Sequence, residues 1–401
     1  MKENFIRVPY AMTIHGDEEI EAVNRVLKSS TQMGENTKKF ESEIAKLFGH
    51  EYGIGTNSGS SSLLLAMESF ELPPGSEVIT PVLTFATTIG CIVKNNLVPV
   101  FVDSESCNKF IIDVNKIEEL ISPNTKAMCI PDLMGNMPNW IKIRELADKY
   151  NLLILEDSAD ILGGQFNNKP TGFYSDISIT SFYGMHMINC AGNGGMITTS
   201  NKNFYEKCML LRSWGRSSSL FSESEKIENR FNVYLDNIRY DAKFIFEKIG
   251  YMMEPSELGS AFGLEQLKKL QNTLKKRNEV AKNHINFFSN YENWFHLPIM
   301  EKNCKSYWFA FPLIIKTEAP FNRTDMQIFL EKKNIQTRVI FTGNALRQPA
   351  FKNIKRVEAK EGYPIADEIM KNGILLACHH GLSEEMLDHL YKSLKEFLTK
   401  F

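Results

Sequence analysis

Between residues 52 and 155 short apolar runs alternate with helical patterns, and this alternation narrows the possible folds more than any other feature of the chain. Strand-like Tyr52–Thr56 is followed by an apolar helix over Leu63–Phe70. Runs at Glu77–Thr80, Val98–Val102 and Lys126–Pro131 precede a helix over Trp140–Tyr150 and a last run, Leu152–Leu155. Strands that alternate with helices form parallel sheets joined by right-handed crossovers. A run as uniformly apolar as Leu152-Leu153-Ile154-Leu155 is buried on both faces of its sheet. The chain is therefore read as α/β, with a mostly parallel central sheet flanked by helices. Open α/β sheets bind ligands at the carboxyl ends of their strands, which draws attention to Glu156-Asp157-Ser158-Ala159-Asp160, directly after the last run. An aspartate there is either a ligand group or an ordinary helix cap.

Two further stretches carry chemistry. Asn57-Ser58-Gly59-Ser60-Ser61-Ser62 opens the helix after the first strand. Such a start is either a serine N-cap or an anion site made by free N–H groups and the positive helix end. Asp176–Asn201 begins as a buried strand through Ile177 and Ile179. It passes through a turn carrying His186, then returns through Gly192-Asn193-Gly194-Gly195 into a second strand, Met196–Thr199. A histidine moves protons near neutral pH. Phe85, in Pro81–Thr88, is either a core aromatic or a flat stacking face.

Composition removes several classes. The chain has 401 residues, a net charge of −2 and 43% hydrophobic residues, enough for one large domain and a smaller one. Near-neutral charge gives no reason to expect nucleic acid or an anionic membrane as partner. The 7 cysteines form no CxxC pair, so neither a zinc ribbon nor a disulfide framework is expected, and a reduced cytosol fits them. No run approaches the roughly 20 apolar residues of a membrane span. The opening MKENFIRVPYAM lacks a signal-peptide core. A soluble, cytoplasmic protein is expected. No GxGxxG or GxxxxGK[ST] supports a dinucleotide or P-loop site. His379-His380 are adjacent and lack a surrounding ligand set, so no metal is expected.

Ser181-Phe182, His186 and the glycine-rich return resemble the SFxxxK…GEGG motif of the nucleotide-sugar aminotransferases of the DegT type, which are pyridoxal-phosphate (PLP) enzymes of fold type I. Here His186 stands where the Schiff-base lysine belongs, and no lysine lies between Lys169 and Lys202. This resembles the branch of 3-dehydratases that act on CDP- or GDP-linked 4-keto-6-deoxysugars. The resemblance runs from about Ile20 to the C-terminus. It implies a large cofactor domain over 1–271 and a small α+β domain over 272–401. It also implies that Ser58, Gly59 and Ser60 hold the cofactor phosphate and that Phe85 stacks on the pyridine. Asp157 would pair with the ring nitrogen, Asp160 and Ser181 would border the cofactor, and the turn at Thr31–Glu35 would border the substrate. Arg338, in Thr337–Asn344, is a candidate for the nucleotide diphosphate. A long helix over Leu274–Phe288, strands at Trp308–Ile315 and Gln336–Val339 and a helix over Glu384–Phe401 fill the smaller domain.

Three positions depart from the family pattern. Met252 and Glu254 replace the Asn and Arg of GYNxR, and Asn193 replaces the Glu of GEGG. The cysteines that hold an iron–sulfur cluster after WGR in the CDP-sugar branch are absent from Ser217–Arg230, which reads as a loop; cluster ligation needs thiolates, so no cluster is expected. The implied reaction uses pyridoxamine phosphate (PMP) held without a covalent link. His186 moves the proton, the C3 hydroxyl departs and L-glutamate regenerates the amine. The product would feed a dideoxysugar of a surface polysaccharide or natural product, and the enzyme would be a homodimer. Two other readings stay open at this point: a non-catalytic sugar-nucleotide binder, and an aminotransferase using a distant lysine.

Overall fold

The computed structural model describes residues 6–221 and 225–401. Helices α1 (Asp17–Leu27) and α2 (Glu35–Phe48) lead to β1 (Tyr52–Thr56) and α3 (Gly59–Ser69). Then come β2 (Glu77–Pro81), α4 (Ala86–Lys94), β3 (Val98–Val102), β4 (Thr125–Pro131), α5 (Trp140–Tyr150) and β5 (Leu153–Asp157). A short pair, β6 (Gln165–Phe166) and β7 (Lys169–Pro170), precedes β8 (Ile177–Ser181), β9 (Gly195–Thr199) and α6 (Lys202–Arg212). Seven strands form one sheet in the order β1-β9-β8-β5-β4-β2-β3. The pairs from β8 through β3 are parallel, whereas β9 runs antiparallel to both β8 and β1. The alternation of the sequence is thus expressed as a parallel sheet with one reversed strand. The reversal follows from the β8–β9 connection, which folds back on itself as a hairpin, the Phe182 and Gly184 N–H groups donating to the Gly194 and Gly192 carbonyls, instead of crossing the sheet through a helix.

The remaining elements are α7 (Ile227–Phe231), the hairpin β10 (Val233–Leu235) and β11 (Ile238–Tyr240), α8 (Glu257–Lys268) and α9 (Leu270–Phe288). After these come β12 (Phe295–His296), β13 (Cys304–Lys305), β14 (Phe311–Ile315), α10 (Arg323–Lys332), α11 (Pro364–Asn372), β15 (Gly373–Leu376) and α12 (Glu384–Leu398). A second sheet has the order β12-β14-β15, all antiparallel. Aromatic side chains dominate its core: Phe288, Phe295 and Phe311 are fully buried, and the Phe288 ring contacts both of the others.

Two readings of the sequence need correction. Gln336–Val339 is not a strand: Ile335 bridges Val8 and Arg338 bridges Leu375, two isolated contacts to different partners that build no ladder. Ser217–Arg230 is not all loop: it holds a 3-10 turn over Ser217–Leu220 and the first residues of α7, while residues 222–224 lie outside those described. The helix expected from Leu63 starts earlier, at Gly59, so Ser58 is its N-cap.

Candidate active site

The cavity of interest, of about 590 Å³, opens at the carboxyl ends of the sheet strands. Ser58, Gly59, Ser60, Phe85, Asp157, Asp160, Ser181, His186 and Arg338 all line it, so the structure brings these nine residues onto one surface, whereas the turn at Thr31–Glu35 does not line it. No lysine is among its described lining residues.

Asp157 ends β5 and is buried. Thr88 Oγ1 donates to its Oδ2 at 2.7 Å, and the Ala159 N–H donates to Oδ1 at 3.3 Å. Thr84 in turn donates to Thr88 at 3.0 Å. These donors are all neutral, and burial pushes the carboxyl above its usual range while the two hydrogen bonds oppose the rise. A buried carboxylate with only neutral donors is satisfied by a proton or a cation reaching it from the cavity. A protonated pyridine nitrogen is such a group.

At the other end, Ser58 caps α3 by accepting from the Ser61 N–H at 3.1 Å. Among the described residues nothing accepts from the N–H groups of Gly59 and Ser60, which begin the helix. They form the ready anion site expected at a helix start. Packing explains the glycines here. A Cβ on Gly59 would lie 2.7 Å from Ser181 Cβ, and one on Gly195 would lie 2.4 Å from the Ser58 carbonyl. The ends of β8 and β9 therefore press directly against the helix start. Cavity, buried carboxylate and anion site together fit a phosphorylated pyridine. Phe85, 52% exposed, lines the wall between them, its ring centroid 5.9 Å from that of Phe341.

His186 rides on the β8–β9 connection, which is pinned by the Phe182, Gly184 and His186 N–H groups donating to the Gly194, Gly192 and Tyr183 carbonyls. Its Nδ1 lies 2.5 Å from the Ala159 carbonyl oxygen. A carbonyl only accepts, so Nδ1 carries the hydrogen and Nε2 keeps its lone pair. Phe309 lies against the ring, centroids 5.1 Å apart. Burial lowers the imidazole to about 4, with the Arg277 guanidinium adding to the fall and the Ala159 carbonyl opposing it. The ring is a neutral base at neutral pH. Asp160 accepts from the Met134 N–H at 3.0 Å; burial, then the Asp157 charge, raises it to about 7.

Arg338 sits exposed at the rim, its guanidinium 5.4 Å from the Tyr10 ring centroid, with one bond to the Thr337 carbonyl and no carboxylate partner among the described residues. Tyr10, Thr84, Thr88, Ala159, Phe309 and Arg277 were not singled out from sequence. The two threonines had a local signal, since a buried carboxylate needs donors and both sit where β2 passes into α4. Tyr10, Phe309 and Arg277 come from distant segments and had none. Among the described residues His379 and His380 belong to no ligand group, and His379 Nε2 bonds the Pro9 carbonyl at 3.0 Å.

The departures cluster beside this cavity. Met252, Glu254 and Asn193 line a second one of about 1020 Å³, together with Thr31, Gln32, Met33 and Arg216. It shares Ser58 and Asn193 with the first. Ser213 Oγ donates to Glu254 at 2.6 Å.

This architecture has known counterparts. The chain is 31% identical over 98% of its length, and 86% of the relative's, to dTDP-4-dehydro-2,6-dideoxy-D-glucose 3-dehydratase of Saccharopolyspora spinosa. A solved structure of Escherichia coli GDP-4-keto-6-deoxy-D-mannose-3-dehydratase with bound hydrated PLP superposes with a TM-score of 0.88 at 28% identity, covering 98% of this chain and 100% of that one. Another solved GDP-4-keto-6-deoxymannose-3-dehydratase, with a trapped PLP–glutamate geminal diamine, gives 0.86 at 27%, covering 97% and 100%. The fold is that of the PLP-dependent aminotransferases. The family model described as DegT/DnrJ/EryC1/StrS aminotransferase matches residues 13–395, and the chain belongs to that family.

Proposed function

We propose that this chain is a PLP/PMP-dependent dehydratase that removes the C3 hydroxyl of a nucleotide-linked 4-keto-6-deoxyhexose, in the making of a 3,6-dideoxysugar. The observation that carries the reading is His186. A neutral base with a fixed tautomer occupies the position where the family carries its Schiff-base lysine, and no lysine is among the described residues that line the cavity. The bound cofactor supplies an amine for the sugar's C4 ketone and a ring that accepts electrons. In this reading Gly59 and Ser60 N–H groups hold its phosphate, with Ser58 and Ser181 beside them. Asp157 holds the ring nitrogen protonated, Phe85 covers one ring face and Asp160 offers a polar contact at the other side. His186 Nε2 accepts a proton next to the ring and returns it to the departing C3 oxygen. Arg338, which has no carboxylate partner among the described residues, meets the nucleotide diphosphate.

L-glutamate as amino donor is supported by the PLP–glutamate adduct in the relative. Independence from an iron–sulfur cluster is supported by a 217–230 segment without cysteine. A division of the chain at 271/272 is supported by a second sheet formed wholly after residue 272. A homodimer is supported by the apolar exposure of residues 234–252, in which Ile249 is 96% exposed and Phe244, Phe246 and Met252 are each more than half exposed. No described helix is long and apolar enough to cross a membrane, and a cytoplasmic site of action follows from the substrates.

The test is mass spectrometry of enzyme, PLP, L-glutamate and CDP-, GDP- or dTDP-linked 4-keto-6-deoxyhexoses. The wild type should remove one hydroxyl oxygen and release ammonia; the His186→Asn variant should lose at least about 10²-fold in rate. PLP trapped on a lysine by borohydride would overturn the reading in favour of an aminotransferase.

A further inference from the structure

Away from the cavity, three side chains that commonly ligate metals converge from distant parts of the chain. Cys107 lies in the loop after β3, His296 in β12 and Glu368 in α11. One ligand atom from each lies within 4.8 Å of the other two, and all three residues are half-buried. Among the described residues no salt bridge and no hydrogen bond to another residue occupies any of the three side chains.

Their backbones are tied together rather than merely adjacent. The Ile299 N–H donates to the Asn108 carbonyl at 2.9 Å. Asn136 Nδ2 donates to the carbonyls of Lys109 and Ile299 at 2.8 and 3.1 Å. The Asp103 carboxylate accepts from the Ile365 and Ala366 N–H groups, both at 3.0 Å, at the start of α11. The three ligand-bearing segments are thus held in fixed relation by bonds that do not involve the ligands.

A thiolate sulfur, an imidazole nitrogen and a carboxylate oxygen make a mixed, borderline-soft set that suits Zn²⁺ and not Mg²⁺ or Ca²⁺. Zinc bonds of about 2.0–2.3 Å place tetrahedral ligand atoms roughly 3.5 Å apart, so side-chain rotation alone closes the group around an ion. Three protein ligands leave the fourth position to water. Burial, and after it the Glu368 carboxylate, pushes the Cys107 thiol up to about 11. Lys316, which opposes that rise, is itself engaged with the Glu292 carbonyl at 2.6 Å. A divalent cation held by the three groups would bind the thiolate form of Cys107, with the thiol proton released to solvent.

We propose that Cys107, His296 and Glu368 form a zinc site that clasps the loop after β3 to the second sheet and α11. The test uses the full-length, cofactor-loaded protein, freed of metal by chelation and then dialysed against zinc. Metal analysis should find one zinc per chain. Competition with a chromophoric chelator should show affinity falling at least about tenfold in Cys107→Ser and in His296→Asn, with circular dichroism confirming that both variants fold. Co²⁺ in place of zinc should give the intense visible bands of a tetrahedral site with a thiolate ligand, lost in Cys107→Ser. Zinc stoichiometry or affinity unchanged in both variants, or no zinc retained by the wild type, overturns the proposal.

Discussion

The Thr84–Thr88–Asp157 chain sets the electrostatics of the site one residue at a time. Each hydroxyl donates toward the carboxylate, so the row lowers a group that burial raises. A hydrogen bond to a charged acceptor is worth about 2 kcal/mol. Thr88→Val should therefore weaken PLP binding roughly tenfold or more, measured by fluorescence titration, while the near-isosteric side chain preserves the fold. Asp160 gives a different signature. Its folded pKa, about 7, is raised above that of the unfolded chain. It contributes stability below pH 4 and loses it as pH climbs through 7. Asp160→Asn keeps an acceptor for the Met134 N–H but carries no charge. In the apoprotein this variant should be more stable than wild type at pH 8, with the difference vanishing toward pH 4; thermal melts across that range check it.

At the scale of elements, the N-terminus of α2 is held by a residue from far along the chain. Gly34, its N-cap, has no side chain to offer. Glu257, at the start of α8, instead accepts from the N–H groups of Gly34, Asn36 and Thr37 and from the Thr37 hydroxyl at 2.7–3.2 Å. Burial works against the carboxylate's charge, but these donors from Thr37, Gly34 and Asn36 outweigh it and lower the group below its usual range. Glu257→Ala strands several buried donors and removes an anion from a helix start. It should cost about 3 kcal/mol, read as a drop in denaturant midpoint. Stability from Glu257 is present above the unfolded carboxylate pKa and is lost as pH falls through the folded one. The spacing of Phe40, Ile44 and Leu47 predicts a helix over Thr37–Phe48, and the structure forms it as α2 with Phe40, Ile44 and Phe48 buried, but the sequence pattern does not reveal its cap. A Ser or Asp before the helix would have been visible; a carboxylate 221 positions from Asn36 is not. For the same reason Asp157 and His186 were legible, lying in motifs beside their strands. Tyr10, Arg277 and Phe309, which complete their surroundings, were not. The false strand at Gln336–Val339 shows the converse, since a β-like pattern there found two unrelated partners.

On the scale of the molecule, the 234–252 surface is the most exposed apolar region near the site. It abuts the second cavity, through which Ser58 and Asn193 open toward the first. If two copies meet there, Ile249→Asp should yield monomers by light scattering. Cofactor retention should fall with it, because the open side of the anion site loses its cover. A variant that stays dimeric would place the interface elsewhere. Met252 and Glu254 line the cavity that this surface abuts, so in such a dimer they would change what each copy presents to its neighbour.

Ala159 has a side chain too small for chemistry, yet its peptide groups face both groups assigned to the proposed reaction: the N–H meets Asp157 and the carbonyl meets His186. The electron-accepting end and the proton-carrying end are therefore gauged from a single residue. Drift of the β5 terminus is expected to displace the two together, with their separation changing less than either position. A substitution that loosens this strand end should thus blur where the cofactor sits before it blurs the alignment of base and ring.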